Sequence, residues 1–269
     1  MATGREVRYE RLRPAQIVGA REAVPVVYIP IGTLEWHGEH NPIGLDTLKA
    51  HALACRCAER SGGLVFPGLY YGENREYALM ETNAADRHMI HKKMGLPDEN
   101  FAPGYMHTTH LEHALAYQRL LLHMLLQARS LGFKVIVFVA GHYPLIDHAR
   151  AAASLFQQMP TRPHPIVWAF SGYELVRDLE MDVCGDHAGK WETSLMMALE
   201  PGLSDLSIIE GRGDPAIGAT DNGVLESSAE FGERAIAAIV ERVDITVHHL
   251  LDDFDGYQRH GAPLFPRVL

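Results

Sequence analysis

An α/β fold built on a mostly parallel sheet is what this sequence predicts, and three observations predict it. Short apolar runs alternate along the chain with amphipathic segments, which is the pattern of strands covered by helices. Two of those runs, residues 26–31 and 135–140, are apolar throughout and read as buried strands. Polar clusters follow the strands at intervals from residue 32 to 194 rather than gathering at one end. That interleaving argues for a single domain over residues 1–269.

Taken in order, residues 26–31 (VVYIPI) form the first strand, and residues 46–60 a helix stopped by Gly62-Gly63. Residues 64–67 are a second short strand. Residues 72–107, rich in Asn, Pro, Gly, His and charge, read as an irregular excursion that serves as a lid or an oligomer arm. A long helix spans 109–130 and ends at Leu131-Gly132. The strand 135–140 delivers Gly141-His142-Tyr143 at its carboxyl end. A helix over 145–158 and a strand over 166–170 follow. A loop at 185–189 leads into a helix ending at Leu199, and the last helix covers 228–251. Repeats and low-complexity tracts are absent.

Composition narrows the partners. A chain of 269 residues with 47% hydrophobic content can bury a sizeable core. Its net charge of −10 excludes nucleic acid and anionic membrane as main partners. Three cysteines, an odd number, point to a reducing compartment. Cys55 and Cys57 diverge on one helix and form neither a disulfide nor a metal pair. The opening residues show no apolar leader segment, and no run reaches membrane-spanning length. The expectation is a cytoplasmic protein acting on a small molecule.

The richest chemistry lies in residues 32–46, GTLEWHGEHNPIGLD, directly after the first strand. Glu35 and His37 are two apart, so on an extended backbone both point to one side. Asp46 returns after a turn built from Asn41-Pro42 and Gly44. Mixed oxygen and nitrogen ligands at such a corner suit zinc, manganese or iron better than calcium. A polar, solvated loop with capping carboxylates is the competing reading. Sites in open α/β sheets form at the carboxyl ends of strands, where Glu35, His37 and His142 all fall, and this favours the metal site. A third cluster, residues 185–194 (GDHAGKWETS), offers His187 and Glu192 around a helix start, with simple capping by Asp186 as the plainer alternative.

These three clusters, in this order and spacing, resemble the creatininase (creatinine amidohydrolase) family. The chain reads Gly32-Thr33-Leu34-Glu35-Trp36-His37-Gly38-Glu39-His40-Asn41-Pro42 and Asp46, then Ala140-Gly141-His142, then His187-Ala188-Gly189-Lys190-Trp191-Glu192-Thr193-Ser194. The resemblance implies a three-layer α/β/α sandwich with a mostly parallel sheet, two divalent metal ions (Zn, Mn or Fe), and a homo-oligomer, a hexamer in the family pattern. Carried over residue by residue, it implies that Glu35, Asp46 and His142 hold one ion. His37, Asp46 and Glu192 hold the other, with Asp46 bridging. A metal-bound hydroxide would attack the scissile carbonyl, with His187 as the catalytic acid/base or oxyanion donor.

The chain also departs from the pattern. Pro144 stands where creatinine-hydrolysing members carry Glu, and Ala140 and Leu145 stand where they carry Asn. Tyr173 and Val183 occupy roughly the places of the tryptophans that close over creatinine. The implied activity is hydrolysis of a non-peptide C–N bond in a cyclic amide, formamide or small amide other than creatinine. Peptide trimming and a non-catalytic metal- or ligand-binding role are the alternatives. Substrate contacts are expected from Tyr143 and Tyr173, and from Arg75 and His88 in the 72–107 excursion.

Overall fold

The computed structural model describes residues 5–72, 84–101, 109–160, 162–179, 181, 183–212, 217–220 and 223–263. Its helices are α1 (Pro14–Ala23), α2 (Leu45–Ser61), α3 (Arg87–Met94), α4 (His110–Ser130), α5 (Leu145–Gln157), α6 (Lys190–Leu199) and α7 (Ala229–Asp252). Its strands are β1 (Val26–Ile31), β2 (Leu64–Val65), β3 (Val135–Ala140) and β4 (Ile166–Ser171). All strand pairings are parallel, in the order β2-β1-β3-β4.

Strand alternation sorts the core into two halves. Val26 and Tyr28 of β1, Val137 of β3 and Trp168 of β4 pack with α2, α6 and α7 on one face. Val27, Ile29, Ile136, Phe138 and Val167 pack with α4 and α5 on the other. Side chains two apart share a face of a strand, so strands apolar at every position must be covered on both sides. The result is the expected three-layer α/β/α sandwich.

The sheet order positions the site. From β1 the chain crosses to β2 on one side and later to β3 on the other, so connections diverge between β1 and β3. Such a switch point opens a crevice at the strands' carboxyl ends. The register brings those ends level, pairing Ile31 with Ala140 and Ala140 with Ser171.

Two features differ from the sequence reading. Helix α1 went unassigned. It has no fully buried residue and only rests Ile17 and Ala20 on the core, so its periodic signal is weak. The excursion expected to be irregular over 72–107 holds α3, with single 3-10 turns at Ala84–Asp86 and Asp98–Phe101. Its apolar anchor is Ile90, packed on Trp36, and Gly95 ends it in the left-handed region (φ 64°). One anchor residue leaves no period to read. The remainder, 73–83 and 102–107, lies outside the described residues.

Candidate metal centre

The site is assembled by backbone turns at two strand ends and one helix start. Beyond β1, Gly32 N–H donates to Leu69 O (2.9 Å) and Glu35 N–H to Ile43 O (3.1 Å), folding the chain back so that α2 begins at Leu45. Asp46 therefore sits in the first turn of α2. Beyond β3, the chain passes against that same turn. A Cβ at Gly141 would lie 1.9 Å from the Asp46 carbonyl oxygen, so only glycine admits the approach that sets His142 beside Asp46. At the start of α6, the Asp186 carboxylate accepts N–H bonds from Gly189, Trp191 and Glu192 (3.2, 2.7 and 3.2 Å). The plainer capping role thus exists, and it orients Glu192 in the first helical turn.

These turns bring Glu35, His37, Asp46, His142, His187 and Glu192 together, each between 1% and 8% exposed. His142 Nδ1 lies 3.1 Å from Glu35 Oε2 and 3.3 Å from Asp46 Oδ2. His37 Nε2 lies 3.3 Å from Asp46 Oδ1 and 3.5 Å from Glu192 Oε2. Ligands bonded at about 2.0–2.1 Å in a tetrahedron stand about 3.3–3.4 Å apart. The observed separations match that spacing in two triads, Glu35–Asp46–His142 and His37–Asp46–Glu192, which share Asp46 through different oxygens. Among the described residues neither Asp46 oxygen has a well-formed hydrogen bond; each only faces an imidazole nitrogen at 3.3 Å. A buried carboxylate with both oxygens so placed is costly unless a cation meets it, and the donor set fits a pair of divalent ions.

Outer contacts fix these side chains. His37 Nδ1–H donates to the Glu35 carbonyl (3.0 Å), turning Nε2 toward the carboxylates. Glu192 Oε2 accepts from Ala188 N–H (2.9 Å), and Lys49 Nζ donates to Glu192 Oε1. Ala188 holds a left-handed conformation (φ 54°), and its carbonyl accepts from His40 Nε2 (3.0 Å) and Thr193 Oγ1 (3.2 Å). Strain at a non-glycine residue is thereby held in place beside the site.

Charge follows from this geometry. Burial opposes ionisation of Asp46, yet His37 and His142 hold its carboxyl well below the usual range. Glu35 and Glu192 are lowered as well, against burial, by the imidazoles and, for Glu192, by Lys49. Burial would lower His37, but Asp46 and Glu192 override it and raise the imidazole to about 9. A cation ligated by His37 must displace that proton. Zinc titration near neutral pH, followed by calorimetry in buffers of different ionisation enthalpy, should therefore show about one proton released per chain from this group. The release should fade as pH rises past about 9. Uptake without proton release would place the ion away from His37.

The other expected residues divide. His187 stands at the cluster, its ring 4.4 Å from that of His37 and its Nε2 2.9 Å from the Trp36 carbonyl. Tyr143 and Tyr173 pair their rings at 5.0 Å and line a pocket of about 280 Å³ that also touches Glu192. His88 does not line it; it sits on α3, 3.5 Å from Asp98. Arg75 lies outside the described residues. Sequence reasoning missed Lys49 and His40 as parts of the site. Lys49 could have been found, since i and i+3 share a helix face and Asp46 was already singled out.

Comparison with known proteins points one way. The family model described as "Creatininase: Creatinine amidohydrolase" matches residues 10–244. A creatinine amidohydrolase from Pseudomonas putida is 28% identical over 197 residues, which is 67% of this chain and 66% of that protein, just under two thirds of its length. A solved structure of creatinine amidohydrolase (creatininase) shares the fold with a TM-score of 0.68 at 24% identity, covering 93% of this chain and 98% of that one. A structure described as creatininase Mn superposes with a TM-score of 0.67 at 23% identity, covering 93% and 99%.

Proposed function

Because the chain belongs to the creatininase family, we propose that it is a metal-dependent amidohydrolase that cleaves a non-peptide C–N bond in a small amide, cyclic amide or formamide. The observation that carries this reading is the pair of triads sharing Asp46, with each Asp46 oxygen 3.3 Å from a different imidazole. Glu35, Asp46 and His142 would hold one divalent ion, and His37, Asp46 and Glu192 the other. Bound there, zinc, manganese or iron would supply an acidified water as nucleophile and polarise the carbonyl.

The chain's own groups divide the remaining work. A carbonyl oxygen can only accept, so His187 Nε2 carries the proton it gives to Trp36 O, and the lone pair of the neutral ring is on Nδ1. Burial, followed by the nearby His37 charge, pushes His187 below its ordinary value. A neutral ring acts first as a base, through Nδ1. His187 takes a proton from the attacking water and returns it to the departing nitrogen. The donor side of the ring is occupied, which leaves proton transfer rather than oxyanion binding as its task. Tyr143, half exposed, and Tyr173 flank the way in.

Creatinine itself is excluded from this reading. Tyr143 and Tyr173 are tilted at 51° to each other, which does not make a flat slot for a planar ring. Pro144 offers no carboxylate beside His142. Purified, metal-loaded protein should consume creatinine no faster than a metal-only control, with creatine formation as the readout. Robust turnover would overturn both arguments. The reading also includes a homo-oligomer, to be checked by light scattering, and a cytoplasmic setting; no helix among the described residues is long and apolar enough to cross a membrane.

A further inference from the structure

We propose that the pocket beside the ligand cluster takes a substrate carrying a carboxylate close to its scissile amide, and that Lys49 is the residue that selects it. This rests on the amidohydrolase reading above and adds the class of amide. The pocket lies between α2, the ends of β3 and β4, α6 and α7. Leu53, Val139, Leu195 and Ile239 make its walls apolar. Into that setting α2 places a lysine that is only 7% exposed.

The ammonium of Lys49 has three N–H bonds. Glu192 Oε1 takes one. Asp46 Oδ1, at 3.9 Å, is beyond hydrogen-bonding distance. Among the described residues no other acceptor engages it. Of the carboxylates that face it, Glu192 already accepts that one N–H and turns its other oxygen to His37, Asp46 faces the imidazoles of the cluster, and Asp186 is taken by three backbone N–H groups of α6. A buried ammonium with unmet donors is unfavourable unless an acceptor reaches it, and the side left open is the pocket that Lys49 lines. Ser171, at the end of β4, lines the same pocket; its buried hydroxyl caps the turn at Gly172–Leu175, and its O–H has no acceptor among the described residues. Asp186 and Glu192 also line the pocket, but Asp186 is taken up by backbone N–H groups and Glu192 by Lys49 and the Ala188 N–H, so the donors left over suit a small anionic group.

The spacing limits the ligand. Lys49 Nζ stands 3.9 Å from an oxygen of the shared carboxylate, so the anionic group must lie within a few bonds of the C–N bond being cut. A pocket of about 280 Å³ admits short half-amides of dicarboxylic acids or N-acyl amino acids.

The test uses two small probes on the full-length, zinc-loaded protein. Glutaramate bears one amide and one carboxylate, whereas glutaramide is its neutral counterpart. Calorimetry should show glutaramate binding about tenfold tighter or better, as a charge-assisted contact requires. Lys49→Met should abolish that preference while keeping the zinc content of the parent, and Lys49→Arg should restore part of it. An equal preference in Lys49→Met would mean that the carboxylate simply meets the metals, and the proposal falls. It falls too if the parent protein does not discriminate, or if Lys49→Met loses its zinc, which would reduce Lys49 to a prop for Glu192. The amidohydrolase reading fails separately, on protein that takes up no zinc. The probe preference is then read on that protein and still stands or falls with Lys49.

Discussion

Asp46→Ala should empty both halves of the centre, lowering bound divalent metal from about two ions per chain to well below one. Glu35→Ala or Glu192→Ala should each remove about one, because each of those carboxylates belongs to only one of the two triads that share Asp46. The difference arises because Asp46 turns one oxygen to His37 and the other to His142. The loss in metal affinity should exceed the roughly 10–100-fold that follows loss of an outer hydrogen-bond partner. Elemental analysis after gel filtration reads the result directly. Retention of one full ion in Asp46→Ala would show that the triads do not share this residue as bridging ligand.

The second large effect is expected at His187. Replacing it with Ala or Gln should leave metal content and the unfolding midpoint close to those of the parent, while the rate on a competent amide falls roughly 10²–10⁴-fold. The reason is geometric: the side chain meets the ligand cluster but is anchored by the Trp36 carbonyl on one nitrogen. Its backbone is separately held, with N–H donating to Thr220 Oγ1 (3.1 Å) and the carbonyl accepting from Thr220 N–H (2.9 Å). The loop therefore keeps its path without the imidazole. Loss of metal or of folding in His187→Ala would make it a ligand or a packing residue. The proton transfer would then have to be reassigned, with Tyr143 the nearest alternative in the sequence.

The fold was legible because its strands are short, apolar and buried on both faces. Residues 26–31 and 135–140 begin and end where the apolar runs do. The candidate site was legible because Glu35, His37 and His142 follow those strands directly. What pairs with what was not. No sequence pattern states that Gly141 lies against the Asp46 carbonyl, or that Lys49 meets a glutamate from α6. Those contacts depend on how helices pack across a crevice. The small helix at Arg87–Met94 was hidden for another reason: its one apolar anchor, Ile90, carries no periodicity.

The shared crevice has a mechanical consequence. Glu35 and His37 come from the loop after β1, Asp46 from α2, His142 from the end of β3 and Glu192 from α6. Ions held by all of them would act as reversible staples across segments far apart in the chain. Closing such long loops costs an unfolded chain entropy that it must give up again each time it refolds, and an ion that binds only the closed form drives that closure by mass action. The persistence of this domain would then be set partly by the free metal in its surroundings, so that scarcity of metal would act on the lifetime of the protein as well as on its turnover.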